Sequence, residues 1–247
     1  MKIFKKSSYY YDLIYKHKNY LKETKFINRF IKRKNNKKIN LLEIGCGTGG
    51  HAHQLAKYNY NITSIDPSKE MIKIAKSKPK KKNVNFYCTK FENFKNKNKF
   101  DVCVALFHVI NYFSSEKKLK IFFQKCSSFL KKDGILIFDY WNGNGIENNP
   151  PIKTRKILKK KNFELTRFAD PYLKKSKNQV IVKYKYTIKK IGKKISFNEN
   201  HKLKYIFLKD IKFFSQRFFK IVKVGSWLNL KKPTKNTWFA YVVLKAK

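Results

Sequence analysis

Acidic residues are scarce in this chain. Only 15 of its 247 residues are Asp or Glu, against 59 Lys or Arg, which gives a formal net charge of +44. Arginine is scarce as well, since it accounts for only 5 of those 59 basic residues. Arg is the side chain suited to bidentate contacts with phosphates and base edges, and the Lys residues are spread over nearly every segment. We therefore favour a solvated surface whose field attracts anions over a dedicated nucleic-acid face.

Other absences exclude further classes of protein. The four cysteines have no C-x-x-C spacing, which favours buried thiols in a reducing compartment over disulfides or a zinc site. No apolar run approaches the ~20 residues needed to cross a bilayer. The basic N-terminus lacks the apolar stretch of a signal peptide. We expect a cytoplasmic protein without membrane contact or bound metal, and composition leaves monomer and homodimer open.

The most informative stretch that is present covers residues 41–50, L-L-E-I-G-C-G-T-G-G. It predicts a buried strand that turns sharply into a helix, with glycines where a side chain would collide with a ligand. Gly45, Gly47 and Gly50 also satisfy the G-x-G-x-x-G pattern of dinucleotide-binding proteins. Against a nicotinamide cofactor, Glu43 stands where those enzymes usually carry an apolar residue, and the glycines at 45, 47 and 49 give the form E-x-G-x-G-x-G.

Five short apolar strands alternate with helices in the first part of the chain. We expect these strands at residues 39–44, 62–65, 84–88, 100–107 and 135–140, and helices at 9–34, after Gly50 through Ala56, from Pro67 through Ala75, and at 115–130. This alternation predicts a parallel sheet with helices on both faces.

The pattern changes after Trp141. A turn-rich break at 142–151 precedes three strands of an antiparallel insert at 163–168, 180–188 and 203–208, a helix at 209–218, and a strand pair at 221–227 and 238–244 that could rejoin the main sheet. We expect four regions: a helical cap (1–38), a core (39–141), a substrate-covering insert (142–208), and a helix with a strand pair that completes the sheet (209–247).

Three of the few carboxylates fall at or next to the carboxyl ends of predicted strands. These are Glu43, Asp66 and Asp139, and that edge of a parallel sheet is where ligands bind. Asp66 is suited to accept hydrogen bonds from a ribose diol, although it could instead cap a helix. Glu43 could bind loop amides, and Asp139 could contact substrate or a turn amide.

At this point the chain resembles the class I S-adenosylmethionine-dependent methyltransferases. The likeness rests on Glu43–Gly50, on the strand and tail at 100–112, and on the turn and strand at 133–138. It implies a Rossmann-like, doubly wound, mostly parallel seven-stranded sheet, with a small antiparallel insert after strand five and S-adenosylmethionine as cofactor. The residues implied in cofactor binding are Tyr15, Tyr20, Glu43, Gly45, Cys46, Gly47, Gly49, Asp66, Pro67, Met71, Lys90, Phe91, Leu106 and Phe107.

The N-terminal cluster Tyr10–Tyr15, with Tyr20 after it, resembles a narrower branch. That branch comprises small-molecule enzymes that dimethylate amino groups on nucleotide-linked deoxyamino sugars. The resemblance implies a small, anionic, nucleotide-linked amino sugar as methyl acceptor. The residues expected to contact the acceptor are Tyr20, His108, Tyr112, Asp139 and Trp141.

One segment departs from the family pattern. The third strand usually leads into Gly-Asp, whose carboxylate holds the adenine amino group, but Thr89 and Lys90 stand there in this chain. Lys has no acceptor for an amino group. Adenine would then depend on backbone carbonyls and on packing against Phe91.

Two residues are expected to act in catalysis. His108 emerges just past strand four, where an imidazole could take the proton of an amine, and Tyr15 could present its ring or hydroxyl to the sulfonium. Ordinary packing of Tyr15, and a positioning role for His108, are the alternatives. His51, His53 and His201 are not expected to bind a ligand.

Two other functions stay open. Charge alone favours an RNA methyltransferase, although no N-P-P-Y or D-P-P-Y tetrad follows strand four. Lys90 leaves room for a non-catalytic protein that binds S-adenosylmethionine.

Overall fold

The computed structural model describes residues 3–31 and 38–247, which contain one seven-stranded and one four-stranded sheet. The helices are Ser8–Ile14 (α1), Tyr20–Asn28 (α2), Gly50–Leu55 (α3), Lys69–Ser77 (α4), Glu116–Phe129 (α5), Gly143–Asn148 (α6) and Leu208–Ser215 (α7). The strands are Ile39–Ile44 (β1), Tyr60–Asp66 (β2), Val84–Cys88 (β3), Phe100–Ala105 (β4), Leu130–Trp141 (β5), Thr154–Lys160 (β6), Phe163–Lys174 (β7), Gln179–Lys190 (β8), Lys193–Lys204 (β9), Phe219–Ser226 (β10) and Phe239–Ala246 (β11).

The large sheet is mixed and mostly parallel. Its order is β10-β11-β5-β4-β1-β2-β3, with parallel pairing from β5 through β3 and antiparallel pairing of β11 with β5 and β10. The parallel part agrees with the alternating pattern, and the whole sheet agrees with the Rossmann-like, mostly parallel seven-stranded sheet that the resemblance implies. The strand order reverses between β1 and β4, so the carboxyl ends of these two strands mark the expected ligand crevice.

Apolar strands explain why helices cover both faces of this sheet. On one face α5 inserts Phe122 and Phe123 against Phe138 of β5, and all three are almost completely buried. On the other face Phe26 of α2 and Leu55 of α3 pack over the central strands. Burial of such side chains stabilises each by about 1.5–3 kcal/mol, which fixes the sheet that positions the site.

Strands β6 to β9 form the second sheet, an antiparallel meander that we call the lid sheet. Its existence agrees with the expected insert, but its strands differ from the prediction. The strand expected at 203–208 is wrong, because β9 covers 193–204 and Leu208 begins α7. Lys-rich β6 was not predicted, since its sequence T-R-K-I-L-K-K has little apolar alternation and resembles a polar connection.

Two helical predictions also need correction. The single helix expected at 9–34 is interrupted at 15–19, where Asn19 caps a second helix by accepting from Lys22 N at 2.8 Å. Residues 32–34 of that expected helix lie outside the described residues. The break at 142–151 contains the short helix α6, although glycines disfavour helix. None of the helices in the described ranges is both long and apolar enough to cross a bilayer.

Candidate active site

The loop between β1 and α3, which we call the motif loop (residues 45–49), has a conformation that requires glycine. Gly45, Gly47 and Gly49 have φ of 70°, 55° and 77°, in the left-handed region that other residues rarely adopt. Gly45 N and Cys46 N both donate to Ile65 O, at 2.8 and 3.0 Å, which ties the loop to the end of β2. A Cβ added to Gly47 would meet nothing within 4 Å, so this side of the loop is open for a ligand.

Asp66 fixes the motif loop from the end of β2. Its carboxylate accepts from Gly47 N at 2.9 Å and from Ser68 N at 2.8 Å. Burial raises its pKa to about 6, although both amides lower it. Each oxygen keeps a further lone pair for a ligand hydroxyl. The ligand-binding and the structural interpretation of Asp66 are therefore compatible.

Glu43 lies at the end of β1 with 1% of its surface exposed. Ser64 Oγ donates to its Oε2 at 2.7 Å. Burial, followed by the nearby Asp66 carboxylate, raises the Glu43 pKa to about 8 even though the Ser64 hydrogen bond lowers it. Without a cationic ligand, Glu43 is therefore largely protonated at neutral pH.

A buried polar chain beneath the motif loop was not predicted. Lys18 Nζ contacts both oxygens of Glu23 at 2.6 and 2.7 Å, and His51 Nε2 lies 2.6 Å from Glu23 Oε2. Burial raises the Glu23 pKa, but His51 and Lys18 outweigh it and hold this pKa at about 2, whereas burial lowers the pKa of His51. His51 Nδ1 then faces Glu43 Oε1 at 3.9 Å. His51 thus links Glu23 of α2 to Glu43 at the end of β1, and only its place in the first turn after the glycines hints at this.

Asp139, at the end of β5, organises the segment after β4. It is fully buried, and it accepts from Phe107 N at 2.7 Å and from His108 N at 3.2 Å. Both residues have positive φ, 65° and 61°, a costly conformation that the carboxylate stabilises. The His108 ring turns its Nδ1 to 2.7 Å from Asp139 Oδ2 and stacks on Phe239.

The N-terminal tyrosines cover this edge of the sheet from α1 and α2. The Tyr15 ring meets Phe107 edge-on at 5.2 Å between centroids, so it lies beside the segment that carries His108. Tyr20 packs differently: its ring meets His51 at 4.9 Å and would clash with a Cβ on Gly50. The structure therefore brings Tyr15 to the crevice and seats Tyr20 on the first turn of α3.

A second polar chain joins the lid sheet to the core, and it includes a histidine that the sequence did not favour. Tyr112 Oη lies 2.8 Å from His201 Nδ1, and His201 Nε2 lies 3.3 Å from Glu199 Oε2. Glu199 also accepts from Ser7 Oγ at 2.7 Å. Tyr112 is thus held by β9, while Trp141 packs 6.0 Å from the His108 ring.

The remaining cofactor residues differ in exposure. Met71 and Leu106 are each 2% exposed and Phe91 is 5% exposed, whereas Pro67 and Lys90 are exposed. The Phe91 ring packs among phenylalanines beneath α5, so its expected packing against adenine finds no support in its placement. Thr89 N is occupied by Asp66 O at 3.0 Å.

The donor set fits S-adenosylmethionine. An open glycine at 47, a ribose-type acceptor at Asp66 and a buried carboxyl at Glu43 converge on one crevice. This assignment of individual residues to the cofactor is a prediction.

Comparison with known proteins shows which family part of the chain resembles. Residues 41–134 match the family model of the methyltransferase domain. A protein of Geobacillus sp. (strain WCH70) named as a methyltransferase is 32% identical over 138 residues, which are 53% of this chain and 55% of that protein. The dTDP-3-amino-3,6-dideoxy-alpha-D-glucopyranose N,N-dimethyltransferase of Streptomyces fradiae is 23% identical over 133 residues, 53% of this chain and 51% of that one. The chain thus spans about half the length of these curated relatives.

Solved structures resemble nearly the whole chain. An S-adenosylmethionine-dependent methyltransferase from Clostridium acetobutylicum ATCC 824 has a TM-score of 0.80 at 21% identity, covering 98% of this chain and 97% of that one. The sugar N-methyltransferase KedS8 from Streptoalloteichus sp ATCC 53650 has a TM-score of 0.78 at 16% identity, covering 94% and 92%. At these identities the likeness shows the fold.

Residues 41–134 form a methyltransferase domain. The expectation of a transferase domain that uses S-adenosylmethionine is confirmed, and so is its Rossmann-like fold. The matched segment ends at residue 134, within β5, so Asp139, Trp141 and the lid sheet lie outside it. What the whole chain methylates is a separate question.

Proposed function

We propose that the protein transfers the methyl group of S-adenosylmethionine to the amino group of a small molecule, with a nucleotide-activated amino sugar as the first candidate. One observation carries the choice of a small acceptor. At the Asp139 edge of the sheet the His108 side chain is only 14% exposed: its ring stacks on Phe239 and packs near Trp141, and Tyr15 lies against the neighbouring Phe107. An RNA methyltransferase would need an open basic groove at that edge.

The names of two relatives favour an amino sugar. The Streptomyces fradiae relative acts on a dTDP-linked amino sugar, and KedS8 is a sugar N-methyltransferase. Both likenesses extend beyond the matched methyltransferase domain, and KedS8 covers 94% of this chain. They support the acceptor class without deciding it.

The roles follow from the site. The bound cofactor supplies a methyl group on a cationic sulfur, which is already activated. The motif loop and Asp66 hold the methionyl and ribosyl portions, and alignment of the reactants alone can contribute about 7–11 kcal/mol. His108 accepts the proton that the acceptor amine loses. Its Nδ1 faces Asp139, which leaves Nε2 for that proton.

The acceptor can be identified by isotope transfer. The full-length protein is incubated with methyl-labelled S-adenosylmethionine and either a metabolite extract or intact RNA, and labelled products are identified by mass spectrometry. We expect label in a small amine that carries one or two added methyl groups. Label in RNA alone, or no label from a protein that binds the cofactor, would contradict the proposal.

A further inference from the structure

The inner face of the lid sheet carries an arginine without a counter-ion. Arg167 lies on β7 between Leu165 and Ala169, both buried on the same face, since alternate residues of a strand share a face. Its guanidinium has five N–H donors, and among residues 3–31 and 38–247 it makes one hydrogen bond, from Nη1 to Tyr15 Oη at 3.1 Å. Nε is buried and has no partner. Among the described residues, no carboxylate pairs with Arg167.

The surroundings of Arg167 add positive charge rather than neutralising it. Lys156 of β6 lies directly opposite Arg167 in the strand register. Its ammonium donates to the carbonyl oxygen of Ile14, so it has a backbone partner and no acid. Burial, followed by the charge of Arg167, lowers the Lys156 pKa. Two like charges side by side are destabilising unless an anion joins them.

Aromatic rings orient the guanidinium. It lies 5.6 Å from the centroid of the Tyr15 ring and 5.3 Å from that of Tyr184. These contacts hold the planar group in one place, so its free N–H groups are preorganised. Tyr15 also contacts Phe107, next to His108, which places Arg167 on the acceptor side of the crevice.

A half-buried charge without a counter-ion costs stability, because desolvation is uncompensated. Arg is moreover rare in this Lys-rich chain, with 5 among 59 basic residues, and its fork matches the oxygens of phosphate and carboxylate groups as Lys does not. We propose that Arg167, assisted by Lys156, binds an oxyanion group of the methyl acceptor and thereby orients the acceptor toward His108. Assigning this anion to the acceptor rests on the proposed function.

The sparse arginines allow a direct test without cofactor or acceptor. The full-length chain labelled with 15N-arginine has five Nε–H signals at most, and the one missing from Arg167→Lys belongs to Arg167. Inorganic pyrophosphate, phosphate and acetate are titrated separately. We expect a saturable shift of the Arg167 signal with the other four unchanged. The pyrophosphate and acetate arms distinguish a phosphate ester from a carboxylate as the source of the anion.

Matched variants sharpen this experiment. Arg167→Gln should weaken binding of the effective anion by about 10- to 100-fold, as expected for lost charge-assisted hydrogen bonds. Arg155→Gln, on the neighbouring strand β6 with an exposed side chain, should leave it unchanged. If Arg167→Lys fails to fold, Lys variants of the other four arginines assign the Arg167 signal by elimination.

Two results would overturn the proposal: an Arg167 signal that none of the three anions shifts, or a parallel drift of all five signals with ionic strength. If instead the proposed methyltransferase function were wrong, the same protein would not bind the cofactor, while the Arg167 signal would still respond to the anion.

Discussion

The carboxylates at the carboxyl edge of the large sheet and Arg167 on the lid sheet differ in the partners that the fold gives them. At the sheet edge each buried carboxylate has partners in the fold: Glu43 has Ser64, and Asp66 has two backbone amides. In the lid, Arg167 makes one hydrogen bond and has no acid among the described residues. The partnered carboxylates keep the edge in place without a ligand. The N–H groups of Arg167 that lack a partner are available to a ligand. We infer that the edge holds the cofactor and the lid completes the site around the acceptor.

The largest expected effect is on cofactor affinity, and it is seen by comparing one glycine substitution in each region. Gly47→Val and Gly192→Val both force a branched residue into positive φ, 55° and 71°, where no atom lies within 4 Å of a new Cβ. Both should lose a similar stability of about 1–2 kcal/mol. Only Gly47→Val should abolish cofactor binding in calorimetry, because its side chain enters the crevice. Equal cofactor affinity in the two variants would refute the assignment of the motif loop.

His108→Gln tests whether His108 serves the acceptor side of the site and not the cofactor. Removal of a proton acceptor should lower the rate of methyl transfer by about 10²–10⁴-fold with little change in cofactor affinity. Exposed His17→Gln is the control. A variant that loses cofactor affinity in proportion to its rate would show that His108 serves the cofactor side instead.

Burial of Glu43 gives the edge of the large sheet a pH-dependent contribution to stability. The folded Glu43 pKa of about 8 exceeds the ordinary value of 4.5, so the folded state binds more protons between these values. The free energy of unfolding should therefore fall as pH rises from about 5 to 8, and Glu43→Gln should remove up to about 4 kcal/mol of that fall. Urea unfolding across this range measures it, with exposed Glu92→Gln as control. A slope that Glu43→Gln leaves unchanged would contradict the buried, protonated carboxyl.

The smallest expected effect is a loss of stability when the hydrogen bond between Tyr15 and Arg167 is removed. Tyr15→Phe removes the acceptor of the Arg167 hydrogen bond and should lower the free energy of unfolding by about 1 kcal/mol. Cofactor affinity should stay near the wild-type value because the ring remains. Tyr9→Phe, at a residue 68% exposed, is the matched control. If Tyr15→Phe lowered cofactor affinity as much as Gly47→Val does, the assignment of the cofactor to the edge and of the acceptor to the lid would be contradicted.

The two regions also differ in how far the sequence predicts them. Glu43, the motif-loop glycines and Asp66 follow apolar runs directly, so a local pattern places them at strand ends. The contact of Arg167 with Tyr15 joins residues 152 positions apart, and that of Tyr112 with His201 joins residues 89 apart. Those pairs depend on the register of β7, β8 and β9. That register sets contacts between residues far apart in the sequence, so no local signal identifies them.

The binding of S-adenosylmethionine to the unmodified protein is the most direct test of the central claim. Calorimetry should give saturable heat with the cofactor and with its demethylated product, and none with NADH. Absence of heat with both sulfur compounds, combined with tight binding of NADH, would contradict the assignment of the crevice at Gly47.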